Sequence, residues 1–198
     1  MPRTRTLAPL FGLVLTGGAS SRMGRDKATI AYHGTPQWRH VADMLRACGA
    51  DPYWSCTAQQ GDAWLLGDRA IVDAVPGHGP ASGLHAAFSA AFSRDDDAAW
   101  LVIGCDYPWL DAYDVQRLVD ARAEDVEAIS YLNPGSQEIE PMIALWEPAA
   151  QQRFLQAFDR GERSARRILR TCALRLLDPP TPRALENRNA DLADTVGD

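Results

Sequence analysis

Apolar residues along this chain fall into two patterns that take turns. Short continuous runs, Leu13 to Leu15 and Ala98 to Ile103, have the length and make-up of strands covered on both faces. Other stretches carry apolar residues at helical spacing. After Pro36, the residues Trp38, Val41, Leu45 and Cys48 share one face, and Gly49 supplies a stop. The same reading predicts strands over 28–32, 52–56, 70–73, 128–132, 142–146 and 174–177. It predicts helices over 84–92, 111–122 with Asp111 as N-cap, 148–158 and 164–171. Residues 59–67 read as a looser connection and 76–83 as a glycine-rich turn. Strand and helix alternate, which predicts an α/β fold of three layers, Rossmann-like, with a mostly parallel mixed sheet and helices on both faces.

A length of 198 residues suits a single domain over 1–198, with 1–9 as a flexible N-terminus. The formal charge of −6 argues against a binder of duplex nucleic acid or of anionic membranes, since both need broad positive surfaces. No apolar run reaches membrane-spanning length and the N-terminus lacks the apolar core of a signal peptide, so a cytoplasmic location is expected. Cys48, Cys56, Cys105 and Cys172 show no CxxC spacing, which points to reduced thiols rather than a zinc or redox motif.

Against this acidic background one basic stretch stands out. Leu15-Thr16-Gly17-Gly18-Ala19-Ser20-Ser21-Arg22-Met23-Gly24-Arg25-Asp26-Lys27 follows a predicted buried strand and has the parts of a phosphate cradle. Gly17, Gly18 and Gly24 allow tight turns and close backbone approach, Ser20 and Ser21 add donors, and Arg22 and Lys27 add fixed charge. It is not a Walker A loop, because Ala28 rather than a hydroxyl residue follows Lys27. Nor is it a dinucleotide fingerprint, because its first glycines are adjacent. A solvated Gly/Ser surface loop is the plain alternative, though it has no need of a buried strand in front.

Ligands of open α/β sheets bind beyond the carboxyl ends of strands. Three polar elements are predicted there: the 17–27 loop, Asp73 with the turn 79–83, and Asp106. Asp73 and Asp106 also suit ordinary turns, and Asn187 and Asn189 equally suit local backbone bonding.

Taken together, these stretches resemble the nucleotidyltransferases, and within them the molybdenum cofactor guanylyltransferases. The resemblance rests on the 15–27 loop, on Asp73 before Gly79-Pro80-Ala81-Ser82-Gly83, and on Gly104-Cys105-Asp106-Tyr107-Pro108. Glu140-Pro141-Met142 and Asn187-Arg188-Asn189 extend it nearly to the end of the chain. It implies transfer of GMP from GTP to molybdopterin with release of pyrophosphate. Arg22, Lys27 and the backbone of Gly17 to Gly24 would hold the triphosphate and Asp106 would bind Mg²⁺. Leu15, Thr16, Gly17, Asp73, Gly79, Pro80 and Gly83 would surround the nucleoside, and Asn187 and Asn189 the acceptor. Cofactor-handling proteins or molybdoenzymes are the implied protein partners. Cytidylyl transfer from CTP, or transfer to a sugar or alditol phosphate, is the alternative within the same chemistry, and a non-catalytic nucleotide-binding module is the alternative outside it. The turn 79–83 and the run after Asn187 depart from the family pattern, and both lie where base and acceptor would be read.

Overall fold

The structure is a computed structural model that describes residues 7–16, 26–72, 79–93 and 97–187, with the backbone alone for residues 92 and 93. A seven-stranded sheet runs through it in the order β3-β2-β1-β4-β6-β5-β7. The strands are β1 (Leu10–Leu15), β2 (Asp51–Cys56), β3 (Ala70–Val72), β4 (Ala99–Gly104), β5 (Ala128–Asn133), β6 (Glu138–Trp146) and β7 (Leu174–Leu177). β1 pairs in parallel with β2 and β4, as do β2 with β3 and β5 with β7, while β6 runs antiparallel between β4 and β5. The expected mostly parallel mixed sheet is therefore observed.

The reversal at β6 has a local cause. Asn133 turns the chain by accepting the backbone N–H groups of Gly135 and Ser136 on its side chain, at 2.9 and 3.2 Å. A tight hairpin can only join antiparallel strands.

Helices cover both faces, and strand alternation divides the core between them. Val14, Leu101 and Ile103 point to the layer of α1 (Gln37–Ala47) and α4 (Ala112–Asp120). Leu13, Leu15, Trp100 and Val102 point to the opposite layer, formed by α3 (Pro80–Ser93), α5 (Pro148–Asp159) and α6 (Ala165–Leu169). α1 ends as its sequence predicts, with Gly49 at φ +74°, a left-handed position that suits glycine. α4 opens on a reciprocal Asp111/Asp114 cap.

Three sequence expectations need correcting. Residues 28–32 are not a strand: Lys27–Thr29 is a 3-10 turn. Asp26 accepts the Ala28 N–H at 3.0 Å and the Thr29 hydroxyl donates to the Asp26 carbonyl, so local side-chain bonds outcompete an edge strand with no partner. Residues 59–67 are not a loose connection, since α2 (Ala58–Ala63) occupies much of the stretch. Its signal was the Thr57-x-x-Gln60 capping box, formed in both directions. The third concerns 80–83, expected as a turn, which is the opening of α3, with Pro80 as its first residue.

Of the expected flexible stretch 1–9, residues 8 and 9 carry hydrogen bonds. The Pro9 carbonyl accepts the Ala99 N–H, and the Ala8 carbonyl accepts Arg122, whose guanidinium also forms a buried pair with Glu147. Among the described residues no helix is long and apolar enough to cross a membrane.

Candidate active site

β2 and β4 flank β1 on opposite sides, and the crossover connections leave in opposite directions from this point of the sheet. In open α/β sheets a ligand is generally held beyond the carboxyl ends of the strands at such a switch point, which here means the ends of β1 and β4. Leu15 is in register with Gly104, and the Cys105 N–H donates to the Leu15 carbonyl at 3.0 Å. Thr16 and Asp106 therefore emerge side by side.

Thr16 is buried, and its hydroxyl donates to the Ser55 carbonyl at 2.7 Å. That bond fixes where the glycine-rich stretch leaves the sheet. Its other end is fixed as well. Asp26 uses one carboxylate oxygen on Ala28 and accepts Gln60 Nε2 on the other at 2.6 Å, while Gln60 Oε1 accepts the Thr57 N–H. Lys27 follows directly, near enough for its charge to act on Asp106. Removing the Gln60 amide should loosen it. Gln60→Ala is expected to cost about 1–2 kcal/mol through the lost charged hydrogen bond and cap, which thermal unfolding would register as about 2–4 °C per kcal/mol.

Burial raises the Asp106 carboxyl above its usual range, and the nearby Lys27 charge opposes the rise. The thiol of Cys105 beside it is pushed up by burial and by the Asp106 and Asp26 charges, so it stays protonated and inert. Asp106 and Lys27, both proposed from sequence, are brought together.

Gly83 lies in the first turn of α3, buried against the ends of β1 and β2. A Cβ there would overlap the Ser55 hydroxyl and stand 3.0 Å from Leu15 Cδ2. Gly79, at φ +57°, precedes the helix, and its carbonyl accepts the Ser82 N–H. Leu15 and Gly83 are thus joined, with Thr16 next to them. Asn187 is exposed and stands two residues beyond Leu185, which is buried in the same apolar cluster as Tyr107. Gly17, Gly18, Ser20, Arg22, Met23, Gly24, Asp73 and Asn189 lie outside the described residues.

Sequence reasoning did not single out Gln60, Tyr107, Glu140 or His33 as site residues. Tyr107 donates to Glu140 Oε1 at 2.6 Å, and His33 Nε2 donates to the Pro108 carbonyl at 2.6 Å, bracing the turn that carries Asp106. The Thr57/Gln60 box was readable as a cap. The contacts of Tyr107 and His33 span 33 and 75 residues and have no local signature.

Comparison with known proteins agrees with this geometry. Residues 12–178 match the family described as the MobA-like NTP transferase domain. The chain is 31% identical over 183 residues to the molybdenum cofactor biosynthesis bifunctional protein of Synechocystis sp., covering 92% of this chain and 52% of that protein. The chain thus spans about half the length of that relative. It is 30% identical to a probable molybdenum cofactor guanylyltransferase of Nostoc sp., covering 96% of this chain and 91% of the relative. Among solved structures, molybdopterin-guanine dinucleotide biosynthesis protein A from Archaeoglobus fulgidus shares the fold at TM-score 0.62 and 19% identity, over 84% of this chain and 82% of that one. A carboxylate leaving β4 beside the end of β1 and a family match running from β1 to the end of β7 lead to one conclusion: the chain belongs to the MobA-like NTP transferase family.

Proposed function

We propose that the protein transfers the guanylyl group of GTP to a phosphate of molybdopterin. An acceptor phosphate oxygen forms a bond to the α-phosphorus, the bond to the bridging oxygen breaks, and pyrophosphate leaves. The meeting of Asp106 and Lys27 beyond the ends of β1 and β4 carries the reading, together with the names borne by the curated relatives.

Such a reaction needs little covalent help from the protein. Charge develops on the bridging and leaving oxygens, so positioned cations and backbone N–H groups do most of the work. Arg22, Lys27 and the backbone of Gly17, Gly18, Ser20, Met23 and Gly24 are assigned to the triphosphate. Leu15, Thr16, Asp73, Gly79, Pro80 and Gly83 are assigned to the nucleoside. The side chains of Leu15 and Thr16 are committed to packing and to Ser55, so their share in recognition falls to the main chain. Asn187 and Asn189 are assigned to the acceptor.

The residues fit Mg²⁺. Asp106 is a partly desolvated carboxylate, and among the described residues no cluster of His, Cys, Asp and Glu forms an all-protein cage. One or two carboxylates, completed by substrate phosphates, is the donor set this cation favours. Bound there by Asp106, it would neutralise charge on the phosphate oxygens.

The test is pyrophosphate release from GTP or CTP in the presence of Mg²⁺ and molybdopterin. Release with GTP alone is expected. Release with CTP but not GTP would move the protein to cytidylyl transfer, and tight nucleotide binding without release would make it a binding module.

A further inference from the structure

The chain between Lys27 and α1 folds back on itself and reaches across to the turn that carries Asp106. The Ile30 N–H donates to the Lys27 carbonyl at 3.2 Å, and the Ile30 carbonyl accepts the Gln37 N–H at 2.9 Å. Backbone bonds thus join Lys27 to the first turn of α1. From this strap two side chains leave for the Asp106 turn. His33 Nε2 meets the Pro108 carbonyl at 2.6 Å, and Gln37 Nε2 donates to the Tyr107 carbonyl at 3.4 Å.

A carbonyl only accepts, so His33 carries a proton on Nε2. Its ring is placed by stacking on His40, from the first turn of α1, with centroids 4.2 Å apart and 25° between the planes. The entry of the Asp106 turn is fixed by the Cys105 N–H on the Leu15 carbonyl. At its exit Pro108 has no N–H, so its carbonyl is the only backbone group by which that residue can be held.

Gln37 points the same way for a different reason. It is fully buried, and its Oε1 has no hydrogen-bond partner among the described residues. An amide so placed adds little to folding, because the unmet acceptor offsets one long bond. What it does supply is a hold on the Tyr107 carbonyl.

We propose that His33, with Gln37 beside it, is a positioning residue that locks the Asp106 turn to the segment carrying Lys27. The proposal rests on the assignment of Asp106 to the metal and of Lys27 to the triphosphate. It predicts a loss in turnover rather than in acceptor binding, because what shifts is the spacing of two charged groups at the reacting phosphates.

His33→Phe keeps a ring on His40 and removes the donor, whereas His33→Gln returns an amide N–H near the place of Nε2. In the full chain with GTP, molybdopterin and Mg²⁺, His33→Phe should lower kcat about tenfold and leave KM for molybdopterin within about twofold. His33→Gln should recover most of that loss. In the ligand-free protein, the Leu110 amide, which donates to the Tyr107 carbonyl at 3.3 Å, should exchange about fivefold faster in His33→Phe than in wild type or His33→Gln. Gln37→Met should quicken the same exchange with Tm unchanged or raised, and a fall in Tm without faster exchange would overturn the part given to Gln37. Unchanged exchange in His33→Phe would overturn the proposal, as would equal losses of kcat in His33→Phe and His33→Gln. If the wild-type protein releases no pyrophosphate from GTP and molybdopterin, the guanylyl-transfer reading fails. Exchange at Leu110 then still decides the hold of His33 on the turn, with faster exchange supporting it and unchanged exchange refuting it.

Discussion

Asp106→Asn is expected to lower pyrophosphate release by about a hundredfold or more while the protein stays at least as stable. The two halves of this expectation have one cause. Burial raises the Asp106 carboxyl, so the charged form is disfavoured in the folded chain and only the Lys27 charge recovers part of that cost. For a carboxylate whose folded pKa is raised, the native state binds the proton more tightly than the unfolded state. Its destabilising contribution is absent at pH below the unfolded pKa and complete once pH exceeds the raised value. At neutral pH the amide therefore relieves a cost rather than removing a support. Activity assays and thermal unfolding on the same preparation check both halves. A variant that keeps the wild-type rate would remove Asp106 from the metal assignment, and a variant with a sharply lowered Tm would make it a structural residue.

The second large effect is on stability. A side chain at position 83 has no room, since its Cβ would overlap the Ser55 hydroxyl and crowd Leu15. Gly83→Val should cost about 1–3 kcal/mol by overpacking, seen as a loss of about 2–4 °C in Tm per kcal/mol. The strain has an address, which makes the expectation specific. Gly83→Ala should lose less in a Ser55→Gly background than alone, because the hydroxyl is the nearest obstacle. Equal losses in the two backgrounds would mean that the cost arises elsewhere in α3. Nucleotide affinity should fall with Gly83→Val as well, because the displaced turn of α3 borders Leu15 and Thr16.

What could be read from the sequence, and what could not, divides along the range of the interactions involved. β4 was legible because every residue of Ala99–Gly104 is buried, so a continuous apolar run sufficed. Asp106 was legible because it follows that run directly. The 3-10 turn at Lys27–Thr29 was misread because Ala28, Ile30 and Tyr32 alternate like a strand, and only the bond from Ala28 to Asp26 shows which local structure prevails. The opening of α3 was hidden for a different reason. Gly79 to Gly83 has turn composition, yet Gly83 answers to close packing rather than to a bend. The Tyr107–Glu140 bond joins the end of β4 to the start of β6, and no pattern along the chain announces it.

The anchors of the glycine-rich stretch carry a further consequence. Thr16 is bonded to the Ser55 carbonyl, and Asp26 reaches the Thr57 N–H through Gln60. The two rims of the stretch are thus tied to one post, three residues long, at the end of β2. A loop whose ends are already joined by the fold pays little for added length, about 0.6 kcal/mol per doubling. Substitutions between positions 16 and 26 should therefore leave both anchors, and with them the sheet, in place, so that this stretch can change in sequence at little cost to the fold.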